Sequence, residues 1–181
     1  MDAQWFDRSE QEASRVLPPF HINRSLEPGR YRLEEVFIDI GRCDAVGRIF
    51  PSAEEVEAVL AAAQVVVADH RYEIFVDNDD GTITIGLRYL RNASPETLYL
   101  DIIHELCHVR QHRQGRNLYD RSRPYVDRDT EIEAYEITVA EARRLGLGDR
   151  AIASYLCVSW ITPEEHRRLA ARMGVDAAAA N

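Results

Sequence analysis

The clearest periodicity in the chain lies between Ser94 and His112. Setting His104 as origin and turning about 100° per residue, Leu98, Tyr99, Ile102, Ile103, Leu106 and Val109 fall between about 120° and 260°, with Thr97, Asp101, His104, His108 and Gln111 opposite. The pattern predicts a helix that packs an apolar stripe on a sheet and turns a polar side toward a site. Ser94-Pro95 starts it: a serine accepts an otherwise open backbone N–H, and proline suits the first helical position, where no donor is lost. A second helix is predicted from about Thr130 to Leu145, capped by Asp127 or Asp129 and ending near Gly146 and Gly148. Around Glu131, the residues Ile132, Ala134, Tyr135, Val139, Ala142 and Leu145 lie within about 100° on either side, while Glu133, Glu136, Arg143 and Arg144 gather opposite.

Alternation of β-branched and aromatic residues at Tyr72 to Val76 and Thr82 to Leu87 predicts a hairpin around Asp77-Asn78-Asp79-Asp80-Gly81. That acidic turn lacks the closing glutamate and flanking helices of a calcium loop and reads as a plain turn. Tyr31 to Ile40 and Ala45 to Phe50 read as strands, separated by Gly41-Arg42-Cys43-Asp44. Ser52-Ala53-Glu54-Glu55 is a capping box that starts a helix to about Val65. Beyond the second long helix, a shorter one covers about Arg150 to Val158, and Thr162-Pro163-Glu164-Glu165 opens a last helix that Gly174 ends. Neither a repeat nor a long linker divides the chain, so residues 1–181 are read as one domain. Residues 1–29, without a clear period and ending in Leu26-Glu27-Pro28-Gly29, are read as an N-terminal covering segment, and residues 149–176 as a C-terminal helical segment near the site. Ala177 to Asn181 are expected to fray.

Composition narrows the function classes. A formal net charge of -9 argues against nonspecific capture of nucleic acid, whose phosphates reward clustered Lys and Arg. Locally, Arg110, Arg113, Arg116, Arg121, Arg123 and Arg128 do crowd one stretch. Cys43, Cys107 and Cys157 are odd in number and widely spaced, which suits a reducing compartment, and the first residues do not follow a signal-peptide pattern. No segment approaches the roughly 20 apolar residues of a membrane span. The expected setting is the cytoplasm, with no membrane partner.

The chemistry is concentrated in His104-Glu105-Leu106-Cys107-His108. Residues four apart on a helix lie one above the other, so both imidazoles can reach a single Zn2+ ion, and Glu105 projects toward the water such an ion would activate. The third ligand is sought on the second helix. Glu131 lies in the middle of its inward stripe, where an ionised carboxylate is costly unless paired or metal-bound; Glu133 is the alternative, one helix-phase error away. His112 follows His108 by four residues but sits near the helix end, which suits a surface or supporting place better than a ligand.

With the His-Glu-x-x-His helix followed by Glu131-Ile132-Glu133-Ala134, residues 70–145 resemble the glutamate-zincin metallopeptidases, or gluzincins, particularly the very small minigluzincins and their uncharacterised bacterial and archaeal relatives. The resemblance implies an α+β, zincin-like fold: a mixed sheet packed on a backing helix, an HExxH helix and a glutamate-bearing helix. It also implies that Glu131 is the third ligand, that an edge strand lines the cleft, and that the activity is zinc-dependent endopeptidase cleavage of a peptide or protein substrate. Larger relatives carry an aspartate four residues after the ligand glutamate to orient the first histidine; here Tyr135 stands in that place.

On this reading Glu105 is the catalytic base, and the strand from Thr82 to Tyr89 is expected to offer an open edge to an extended peptide. The donor to the oxyanion is sought among Tyr119, Tyr125, Arg128, Tyr135 and His166. Two alternatives stay open: a latent or non-catalytic zinc-binding regulatory protein, blocked by either terminal segment, the C-terminal one carrying Trp160 and His166, and a nucleic-acid-associated protein that uses the arginines between Arg110 and Arg128.

Overall fold

A computed structural model describes residues 17–176; residues 1–16 of the predicted covering segment, and 177–181, lie outside the described residues. The elements in order are β1 (His21–Ile22), β2 (Gly29–Arg32), α1 (Leu33–Val36), β3 (Phe37–Ile38), α2 (Asp44–Ile49), α3 (Ala53–Ala62), β4 (Gln64–Ala68), β5 (Ile74–Val76), β6 (Ile83–Gly86), α4 (Leu87–Asn92), α5 (Pro95–Arg113), α6 (Asp129–Arg144), α7 (Asp149–Leu156) and α8 (Pro163–Arg172). Short 3-10 turns cover Ile40–Arg42 and Tyr125–Asp127.

The main sheet has the order β2-β4-β6-β5. Its β2–β4 and β5–β6 pairs are antiparallel and its β4–β6 pair is parallel, so the sheet is mixed. Helix α5 packs against β5, α2 and, most extensively, α6. Val65, Val67, Ile83 and Ile85 of the sheet and Leu98, Ile102, Ile103 and Leu106 of α5 are buried in one apolar core. The mixed sheet against α5 and α6 is the expected zincin-like α+β arrangement.

The hairpin forms where predicted, with Gly81 at φ 73° in its turn, a conformation in which a β-carbon is strained. Ser94 caps α5 by accepting the Thr97 N–H at 3.0 Å, and Thr162 with Glu165 forms the predicted capping box of α8. At the start of α6, neither proposed aspartate caps. Arg128 holds the N-cap position without a side-chain bond; Asp129 is the first helical residue, and Asp127 pairs with Arg168 at 2.6 Å.

Several predicted elements are corrected. Ala45 to Phe50 belongs to helix α2, not to a strand: Ala45, Val46 and Ile49 are buried at one helical face, and a short apolar run does not distinguish the two periods. Tyr31 to Ile40 is not one strand, because Glu35 reaches back to the Arg32 N–H at 2.7 Å and folds Leu33–Val36 into a helical turn between β2 and β3. The helix from Ser52 stops at Ala62, and the run Val65-Val66-Val67, apolar and β-branched, becomes β4 with alternating burial. Strand β6 ends at Gly86 and the chain turns into α4. A β-carbon on Gly86 would stand 2.3 Å from the Tyr72 carbonyl oxygen, so glycine permits the segment leading into β5 to cross there. Most consequential for function, β6 is an interior strand, and the edge on the α5 side is β5.

Candidate metal centre

The wheel of α5 places His104 and His108 on one face, and packing against α6 brings that face to Glu131 in the first turn of α6. The His104 and His108 Nε2 atoms are 3.0 Å apart, and Glu131 Oε2 lies 3.3 Å and 3.5 Å from them. In a tetrahedral zinc site with metal–ligand bonds of about 2.0–2.1 Å, ligand atoms lie about 3.3 Å apart. The three side-chain atoms are therefore already spaced as the corners of such a site. Each residue is buried, at 5–6 % exposure, and Glu131 Oε2 makes no hydrogen bond although water does not reach it. A buried carboxylate oxygen without a donor, facing two imidazole nitrogens, fits a divalent cation, and a His, His, Glu donor set suits zinc. His104, His108 and Glu131 thus form a gluzincin-like zinc-binding triad, and its setting on two packed helices beside a mixed sheet is a zinc-dependent peptidase-type active site.

Partners behind the triad hold it in place. Gln111, one turn beyond His108, accepts at Oε1 from His108 Nδ1 at 2.8 Å and donates from Nε2 to the Thr130 carbonyl and to Glu133, both at 2.9 Å. With Nδ1 donating to Gln111, Nε2 is the nitrogen that His108 turns to the centre, free to ligate once its proton is displaced. The same amide ties α5 to the start of α6, one residue from Glu131. His104 is held differently. Its Nδ1 is buried without a partner, and the Tyr135 ring packs edge-on at 4.5 Å between centroids. Tyr135 thus meets His104 by ring packing. Its hydroxyl meets that of Tyr125 at 3.0 Å, and the Tyr125 hydroxyl lies near Glu131.

Electrostatics separates the two histidines. Burial lowers the pKa of His104 against the pull of Glu131, and the neighbouring His108 charge adds to the lowering. For His108 burial also opposes charge, but Glu131 and Glu105 overcome it and raise the imidazole to about 9. Glu131 is pushed up by burial yet held well below the usual carboxylate range, chiefly by the charge of His108 and by the closeness of both imidazoles. Glu105 is driven up to about 7, chiefly by burial, with only the His108 charge and the Val76 backbone N–H opposing. Its Oε2 is buried without a hydrogen-bond partner.

The other predicted residues are scattered in their surroundings. Tyr119 donates to the Val76 carbonyl at 2.7 Å, and Arg128 lies over the Tyr125 ring, 5.8 Å from its centroid. His166 is buried, its Nε2 2.8 Å from the Ala153 carbonyl, tying α8 to α7. Glu133, the alternative ligand, turns instead to Arg110, Arg116 and Gln111. The arginine stretch is thereby partly neutralised from within, as Arg123 also pairs with Asp129. Beyond the prediction, Tyr89 donates its hydroxyl to Asp101, one turn before His104 on α5, and Tyr155 lies beside the same carboxylate; Trp160, named in the expected blocking segment, packs edge-on against Tyr125 at 5.7 Å. Gln111 was legible on the wheel, on the same polar side as the histidines. Asp101 was legible there too, but its tyrosine partners come from α4 and α7, distant in sequence.

No protein-family model, curated protein or solved structure matches this chain. No helix among the described residues is long and apolar enough to cross a membrane.

Proposed function

We propose that the protein is a zinc-dependent endopeptidase in which Glu105 is the general base and extended peptide is the substrate. The observation that carries this reading is the Glu105 carboxylate: it shares a helical turn with His104 and His108, is 7 % exposed, and has a buried oxygen without a donor. Bound at His104, His108 and Glu131, zinc would supply a Lewis acid that acidifies water and polarises a carbonyl. Glu105, buried on the same helical turn as the two histidines, is placed to take a proton from water and return it to a leaving amine. Gln111 holds the His108 tautomer, and Tyr135 and Tyr125 lie beside His104 and Glu131. The hydroxyls of Tyr119, Tyr125 and Tyr135 all feel the Glu131 charge, and they are the donors from which the oxyanion partner is drawn. Peptide enters along the outer edge of β5, whose residue Val76 lies against Glu105.

A latent form of the same enzyme is the second reading, favoured by the near-complete burial of the triad and by Tyr155 and Trp160 of the C-terminal segment packing on Tyr135 and Tyr125. Glu105→Gln tests the first reading: zinc binding is retained and peptide hydrolysis falls by about 10²–10⁴-fold. Equal behaviour of the native chain and the variant on every peptide removes the endopeptidase assignment.

A further inference from the structure

The bonds Asp77 N–H to Thr82 O, 2.8 Å, and Gly86 N–H to Glu73 O, 2.9 Å, fix the phase of the β5–β6 ladder. Residue pairs 73/86 and 77/82 are hydrogen-bonded, and with Phe75 opposite Thr84 in the same phase, the backbone groups of Ile74 and Val76 point away from β6. That outward side is the edge that faces the metal helix. At Val76 both groups are already engaged by the site: the N–H lies by the Glu105 carboxylate, and the carbonyl accepts the Tyr119 hydroxyl at 2.7 Å. Tyr119 is carried there by the segment between α5 and α6, which the Leu118 N–H pins to Asn78 Oδ1 at 2.9 Å. The ring itself is 42 % exposed, an unusual setting for a large aromatic whose hydroxyl is bonded inward.

A strand added to a sheet runs about 4.8 Å from its neighbour and bonds the neighbour's outward carbonyls. The Tyr119 hydroxyl, 2.7 Å from the Val76 oxygen, stands in that lane. We propose that Tyr119 is a latch displaced by peptide: its hydroxyl caps the Val76 carbonyl in the resting protein, and an extended peptide occupies the β5 edge only by breaking that bond. The inference rests on the reading of β5 as the peptide edge of a zinc peptidase. Tyr119 then sets a threshold, favouring segments that are extended enough to replace its bond with a ladder of their own. Losing one such internal bond on binding weakens peptide affinity by about fivefold.

The test compares zinc-loaded Glu105→Gln protein, which does not consume peptide, with the Glu105→Gln, Tyr119→Phe double variant. Phenylalanine keeps the ring and leaves the Leu118–Asn78 bond in place. With a fluorescein-labelled pool of random octapeptides, anisotropy is expected to give about fivefold tighter binding to the double variant. Equal or weaker binding, or binding by neither protein, overturns the latch, as does a lowered melting temperature without tighter binding. Hydrolysis of the same pool by the chain with native Glu105 reports separately. Its absence alongside the affinity difference rejects the peptidase reading and leaves the latch, whereas hydrolysis without the difference rejects the latch alone.

Discussion

Helix α6 buries two carboxylates ten residues apart, and they are treated in opposite ways. Glu141, at 0 % exposure, receives Tyr99 at 2.6 Å, Arg144 at 2.7 and 2.8 Å, and Arg48. Burial raises its pKa, but the Arg144 and Tyr99 bonds win and hold it below the ordinary value. Glu131, at 5 % exposure, faces two imidazoles whose Nε2 atoms, 3.0 Å apart, cannot both be protonated without clashing, and its Oε2 has no hydrogen-bond partner. The satisfied carboxylate ties α2, α5 and α6 together. The unsatisfied one is held ready for a cation that the chain does not itself supply.

The contrast breaks most sharply at Glu131→Ala, which should weaken zinc binding by at least about a thousandfold, beyond the 10–100-fold that outer partners command. Chelator competition measures it, and zinc should then raise the melting temperature of the native chain but not of the variant. Glu141→Ala should leave the zinc affinity of the folded protein nearly unchanged and destabilise the fold. The Tyr99 hydroxyl is orphaned, but Arg48 and Arg144 still reach water, so about 2–4 kcal/mol is expected from denaturant unfolding, less than for a fully buried unpaired charge.

Glu105 sharpens the comparison by working against the fold. Between about pH 4.5 and 7 the unfolded chain ionises this carboxylate while the folded chain does not, so metal-free stability falls as pH rises through that window. Glu105→Gln in the metal-free protein should therefore be more stable at pH 8 by on the order of 2–3 kcal/mol, with the gain shrinking toward pH 5. Smallest is Gln111→Ala, which frees the His108 tautomer and should cost about 10–100-fold in zinc affinity, read by the same competition.

The sequence was most legible where one element's period carries the information. The wheel of α5 put His104, His108 and Gln111 on one side, the His-Glu-x-x-His spacing added Glu105, and the wheel of α6 turned Glu131 inward. The same wheel puts Glu141 about 80° from Glu131, inside the inward stripe; its burial was readable there, but its partners Arg48 and Tyr99 come from α2 and α5. Legibility failed where a short apolar run fits two periods. Ala45 to Phe50 reads equally as strand or helix, and docking on α5 and α6 decides it. The edge of the sheet was also hidden, because strand order is set by the β4–β6 crossover and not by neighbourhood in sequence. Tyr119 had no periodic signal, and its place depends on a loop meeting that edge.

X-ray absorption at the zinc edge of the zinc-loaded protein tests the central claim most directly. The account predicts one ion per chain, with scattering from two imidazoles and a carboxylate oxygen at about 2.0–2.1 Å. A sulfur shell at about 2.3 Å, fewer than two imidazoles, or no zinc uptake contradicts it.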